Sequence, residues 1–93
     1  MCQTYKIAIC DDLATARNYL SSLCEIWGRH NCYRIQISEF TSAENFLFYY
    51  AEKKDFDILL LDIEMGAMDG VTMARKLRQD NHTVQIIFIT GYA

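Results

Sequence analysis

The sequence has no proline in 93 residues, where average usage would supply about 5 %. It also lacks a linker, an internal repeat and any block of like charge longer than two or three residues. No apolar stretch approaches the ~18 residues of a membrane span. The start, Met1-Cys2-Gln3-Thr4-Tyr5-Lys6, has no basic region followed by an apolar core, so no secretory signal is read there and a cytoplasmic location is expected. Basic residues are too few for a nucleic-acid grip by electrostatics alone: nine Lys and Arg stand against twelve Asp and Glu, for a net charge of −3. The cysteines Cys2, Cys10, Cys24 and Cys32 form no Cys-x-x-Cys pair and have no histidine at metal spacing, which argues against zinc. Cys10 and Cys24 are expected as buried, reduced thiols, and His30 and His82 as surface residues. The chain stops at Ile89-Thr90-Gly91-Tyr92-Ala93, straight after an apolar run, with no closing helix or polar tail.

What is present reads as one small globular domain, with 52 % apolar and 23 % charged residues. Tyr5–Cys10 is a short apolar strand ending at two acids. Leu13, Ala16, Leu20, Leu23, Cys24 and Trp27 fall on one helical stripe, giving a helix over about 13–29 whose polar face carries Arg17, Asn18, Ser21, Ser22 and Glu25. Residues 33–40 alternate polar and apolar, as in a half-exposed edge strand. Thr41-Ser42-Ala43-Glu44 fits a capping box for a helix that turns Ala43, Phe46, Leu47, Tyr50 and Ala51 inward and ends near Lys53-Lys54. Phe48 and Tyr49 fall off that stripe. Ile58–Leu61 is continuously apolar, like a strand covered on both faces, and stops at Asp62. A third helix over 71–80 turns Val71, Ala74 and Leu77 inward, and 84–90 is a second fully buried strand. The order β-α-β-α-β-α-β implies a parallel α/β sheet.

In such sheets ligands sit beyond the C-terminal strand ends, where strand order reverses. If the first and third strands are neighbours, Asp11, Asp12 and Asp62 share that rim. Three anions in one pocket repel and raise each other's pKa, a conflict that a divalent cation removes; Mg2+ suits a few carboxylates supplemented by water and phosphate oxygens. A carboxylate beside Mg2+ can accept a phosphoryl group. Thr90, at the end of the fourth strand, could donate its hydroxyl to an anion there. Each residue also has an ordinary reading: Asp12 as a helix cap, Asp62 as a strand terminus, Thr90 as a β-branched strand residue, Asp69-Gly70 as a turn. All three acids fall at C-terminal strand ends, which favours the chemical reading.

These residues resemble the receiver domain of bacterial two-component response regulators. The resemblance runs through Ile9-Cys10-Asp11-Asp12, Leu60-Leu61-Asp62-Ile63-Glu64-Met65, Met68-Asp69-Gly70 and Ile89-Thr90-Gly91-Tyr92-Ala93. It implies a flavodoxin-like doubly wound sheet in strand order 2-1-3-4. Asp62 would be the phosphoacceptor, Asp12 a direct Mg2+ ligand, Asp11 a ligand through water, and the Glu64 backbone carbonyl a further ligand. Thr90 would bond the phosphoryl group and Gly91 leave room beside it. The donor would be a sensor histidine kinase. The Asp-Ile-Glu-Met and Ile-Thr-Gly-Tyr stretches look most like regulators that carry a LytTR-type DNA-binding domain.

The family usually has a proline soon after the phosphoacceptor; here Gly66-Ala67 takes its place, and a more mobile loop is expected. Against the family pattern, residues 1–93 read as an incomplete receiver lacking the fourth helix, the fifth strand with its lysine, and the fifth helix. With right-handed crossovers, order 2-1-3-4 puts the first helix on one face and the other two on the opposite face. The last two strands are then short of cover beside the first helix, and the fourth is an unguarded edge. Self-association through that edge or face is expected. Two other functions fit parts of the pattern: an interaction module independent of phosphorylation, and a phosphatase of the haloacid dehalogenase type. The latter expects Asp-x-Asp where this chain has Asp11-Asp12-Leu13. Neither membrane nor direct nucleic-acid binding is expected, and the domain is read as a signalling module rather than an enzyme.

Overall fold

A computed structural model describes residues 3–53, 55–66, 68–80 and 83–89. The elements are β1 (Thr4–Cys10), α1 (Ala14–Asn31), β2 (Arg34–Phe40), α2 (Ala43–Tyr50), β3 (Ile58–Asp62), α3 (Gly70–Asp80) and β4 (Gln85–Ile89). The strands form one parallel sheet in the order β2-β1-β3-β4, the flavodoxin-like order expected.

The period of two along a strand explains the unbroken apolar runs of the central strands. Ala8, Cys10, Leu59 and Leu61 point to one face, where they pack with Phe40, Phe46, Met73 and Leu77 from β2, α2 and α3. Ile7, Ile9 and Leu60 point to the other, against Leu20 and Cys24 of α1. The helices thus divide between faces as right-handed crossovers require. The edge strand β2 is only partly buried along its length.

The apolar stripe of α1 is narrower than expected. Leu20, Cys24 and Gly28 are buried, whereas Leu13 is 61 %, Leu23 44 % and Trp27 38 % exposed. The helix leans toward β2: a Cβ on Gly28 would collide with the Ile35 side chain. Leu23 and Trp27 line an open apolar groove with Ile58, Leu60, Ile87 and Ile89, the Trp27 ring also packing on Tyr5 and Tyr33. The helix closes at Cys32, which adopts left-handed φ 59° and donates its amide toward the Arg29 carbonyl, as in helix ends commonly built on glycine.

The cap of α2 is displaced by one residue from the expected box. Ser42, not Thr41, is the N-cap of α2, its Oγ accepting from the Asn45 amide at 3.0 Å. That register turns Ala43, Phe46 and Tyr50 inward. The helix ends at Tyr50, short of Lys53, and Ala51 is an exposed C-cap. In α3, Met73 joins Ala74 and Leu77 in the core, while Val71 is 40 % exposed.

The fourth strand is not fully buried. Ile87 and Phe88 are 48 % and 45 % exposed, because β4 pairs with β3 on one side and, among the described residues, with nothing on the other. Cys10 and Cys24 are buried and unbridged, and Cys32 is exposed. His30, Phe48 and Tyr49 lie on the surface. Cys2, His82, Thr90 and Gly91 fall outside the described residues. Among the described residues, no helix is long and apolar enough to cross a membrane.

Candidate functional site

Parallel pairing aligns Cys10 with Leu61, so the residues that follow, Asp11 and Asp62, emerge side by side from β1 and β3. Asp12 completes the group. One carboxylate oxygen from each of Asp11, Asp12 and Asp62 lies within 4.8 Å of the others. The spatial cluster that the sequence could only condition on strand adjacency is therefore formed.

Burial differs sharply within the trio. Asp11 is 4 % exposed, the one buried charged residue among those described, whereas Asp12 is exposed and Asp62 intermediate. Asp11 is held on several sides. Its amide donates to the Phe40 carbonyl at 3.1 Å, and its Oδ1 accepts from the Leu13 amide at 2.9 Å. Leu13 is the N-cap of α1, with no side-chain cap, so Asp12 does not serve as the helix cap and its carboxylate is left to the cluster.

The Asp62 carboxyl is pushed above its ordinary pKa. Burial is the main cause; the Glu64 amide, 3.3 Å from Oδ1, opposes it, and the negative charges of Asp11, Asp12 and Glu64 add to the rise. Next to it, burial first and then Asp11, Asp62 and Glu44 push the Cys10 thiol up to about 12. Its Sγ lies 3.3 Å from the Ser42 carbonyl and 3.6 Å from Met65 Sδ. Cys10 is therefore a neutral packing residue under the acidic floor.

The loop after Asp62 is anchored at both ends. Ile63 donates its amide to the Ile89 carbonyl at 3.1 Å, and its own carbonyl accepts from Gly70 at 2.8 Å. A Cβ on Gly70 would collide with the Asp62 carbonyl oxygen. Asp69 caps α3, its Oδ1 accepting from the Thr72 amide at 2.8 Å. Asp69-Gly70 is thus more than a turn: it starts a helix in contact with the backbone of the central acid.

Two contributors were read differently in the sequence. Gly70, read as part of a turn, is one. The other is Arg17, expected on the outer face of α1. Its side chain is only 16 % exposed; Nη1 donates to the Asp11 carbonyl at 2.8 Å, and Nε lies 3.3 Å from Glu39 Oε1. The available signal was its place one turn into the helix, where a long side chain leans back toward the N-terminus.

The model of the response regulator receiver domain family matches residues 7–93. A response regulatory protein of Vibrio cholerae is 34 % identical over 99 % of this chain and 34 % of its own length. The sensory transduction protein LytR of Streptococcus agalactiae is 34 % identical over 94 % of this chain and 34 % of its own length. The chain thus spans about a third of these two curated relatives. Among solved structures, the response regulator TrrA of Thermotoga maritima, in complex with Mg2+ and BeF, superposes with a TM-score of 0.81 at 25 % identity, over 96 % of this chain and 71 % of that one. With its strand order, its acidic cluster and this match, the chain belongs to the response regulator receiver domains of two-component systems.

Proposed function

We propose that Asp62 is the phosphoacceptor of this receiver and that a sensor histidine kinase supplies the phosphoryl group. The observation that carries this reading is the convergence of Asp11, Asp12 and Asp62 within 4.8 Å at the ends of adjacent parallel strands. Three hard oxygen donors around a carboxyl raised by burial and like charge fit a divalent cation. Asp11, Asp12, Asp62 and the Glu64 backbone carbonyl would hold Mg2+. When bound, the ion would offset negative charge on the phosphoryl oxygens. The TrrA complex with Mg2+ and BeF supports the same use of this site.

An Asp62 carboxylate oxygen attacks phosphorus while the bond from phosphorus to the donor's histidine nitrogen breaks. The electron pair leaves with the imidazole, and Asp62 becomes an acyl phosphate. The Glu64 amide, already 3.3 Å from Asp62 Oδ1, fixes the orientation of the attacking group. Thr90 and Gly91 would receive the phosphoryl oxygens, as their place in the family pattern implies. The signal would pass to an output domain, of the LytTR DNA-binding kind suggested by the motif resemblance and consistent with the LytR relative. A cytoplasmic setting follows from that partnership. Self-association is proposed through the β4 edge, where Ile87 and Phe88 are exposed.

The test is labelling with acetyl phosphate, in which the same attack releases acetate. Mg2+-dependent incorporation into the wild-type chain and none into Asp62→Asn is expected. Label that persists in Asp62→Asn removes Asp62 from the role.

A further inference from the structure

Three like charges gathered at the end of a sheet push one another apart, and the short β1–α1 connection carrying two of them is the part free to yield. Something must hold it closed before any cation arrives. Three bonds restrain Asp11: its amide to Phe40, its Oδ1 to the Leu13 amide, and its carbonyl to Arg17 Nη1. The first is an extension of the strand pairing and the second is local to the loop. The bond from Arg17 is different, because its donor is tied elsewhere. The same guanidinium engages Glu39 through Nε at 3.3 Å, and Glu39 belongs to β2. One planar fork therefore spans α1, the acidic loop and β2. A lysine cannot reproduce that, since its ammonium is a single point on a flexible stem. The Arg17 side chain is largely removed from solvent, 16 % exposed, whereas Glu39, at 40 %, holds it from the surface.

We propose, on the reading of Asp11, Asp12 and Asp62 as the Mg2+ site, that Arg17 is a positioning residue for that site. It pins the Asp11 carbonyl against β2, so that the carboxylates stay converged without metal. Arg17 touches neither substrate nor ion; it acts through the backbone of Asp11. Preorganised ligands bind more tightly because less ordering remains to be done on binding.

Calorimetric titration of the 93-residue chain with MgCl2 tests this. Arg17→Met keeps the apolar stem and removes the fork, and is expected to weaken Mg2+ binding about tenfold. Arg17→Lys is expected to lose about threefold, and Glu39→Gln less, because the bond to the Asp11 carbonyl survives. Leu77→Ala, in the core on the opposite face of the sheet, is the control for lost stability and should leave Mg2+ affinity within twofold. An Arg17→Met affinity within twofold of wild type overturns the proposal, as does an equal loss in Leu77→Ala. Should Arg17→Met not fold, Arg17→Lys decides by the same comparison. A second readout needs no metal: hydrogen exchange at the Leu13 amide is expected to be about tenfold faster in the Arg17 variants, and unchanged protection overturns the proposal. A wild-type chain that binds no Mg2+ is a different result. It removes the metal-site reading itself, and appears before any variant is compared.

Discussion

Gly70 and Asp62 are in backbone contact: the first residue of α3 stands so close to the Asp62 carbonyl oxygen that no Cβ fits between them. The helix start and the central acid are therefore one mechanical unit. Gly70→Ala must push α3 away from the end of β3. Overpacking of this kind costs about 1–3 kcal/mol, to be read as a lower urea midpoint. Acetyl phosphate labelling should fall with it, since the loop between the two residues carries Glu64.

Asp62 is partly buried among like charges, so its ionised form works against the fold in the absence of metal. Asp62→Asn should raise metal-free stability slightly, by about 0.5 kcal/mol or less because solvent screens much of the repulsion. If the site holds Mg2+ as proposed, added MgCl2 should raise the melting temperature of the wild type, and the variant should lose that rise. A metal-free variant markedly less stable than wild type would contradict the electrostatic account.

Part of the acid sensitivity should be traceable to Asp69, with Asp55 one of two carboxyls among the described residues held below the ordinary value. The Thr72 amide bonded to its carboxylate holds its pKa below the ordinary value. A depressed folded pKa means a contribution fully present above the unfolded value of about 3.9 and lost as pH falls through the lower folded value. Asparagine also caps helices but does not titrate. Asp69→Asn should therefore match wild type near neutrality and lose less stability between pH 5 and pH 2, followed by denaturant titration at each pH.

Phe46 anchors the face shared by α2 and α3. It is 1 % exposed and lies in ring contact with Phe40, Tyr50 and Phe56 at centroid distances of 5.1, 5.5 and 5.8 Å. Phe46→Ala should cost about 3–5 kcal/mol. Domains of this size have only about 5–15 kcal/mol in hand, so circular dichroism should show a sharply lowered melting temperature.

The β4 edge should mediate association between copies. Ile87→Lys places a charge on an exposed strand edge, a device that blocks edge pairing. Light scattering at tens of micromolar should show assemblies for wild type and a shift toward monomer for the variant. A wild-type chain that is already monomeric removes the proposal.

Much of this protein was legible in its sequence. The continuous run Ile58–Leu61 and the helical spacing of Leu20 and Cys24 determined a parallel α/β order, because burial on two faces or one leaves its period in the chain. The acids at strand ends were legible as well, since a strand's C-terminal end is a position in the sequence. Other features were decided only by packing in three dimensions. The lean of α1 toward β2 leaves Leu23 and Trp27 half open although their spacing is that of a core stripe. A one-residue choice of cap made Ser42, not Thr41, begin α2. Most of all, Arg17 carries a polar side chain at an outward-reading position, yet it bonds the Asp11 carbonyl and Glu39 at once. Sequence records which residues are apolar and how they repeat. The convergence of Asp11 and Asp12 with Asp62 depends on residues about fifty positions apart in the chain becoming neighbours, and the clamp depends on α1 and β2 meeting at the acidic loop. Only the sheet's strand order and the closeness of its helices could decide that.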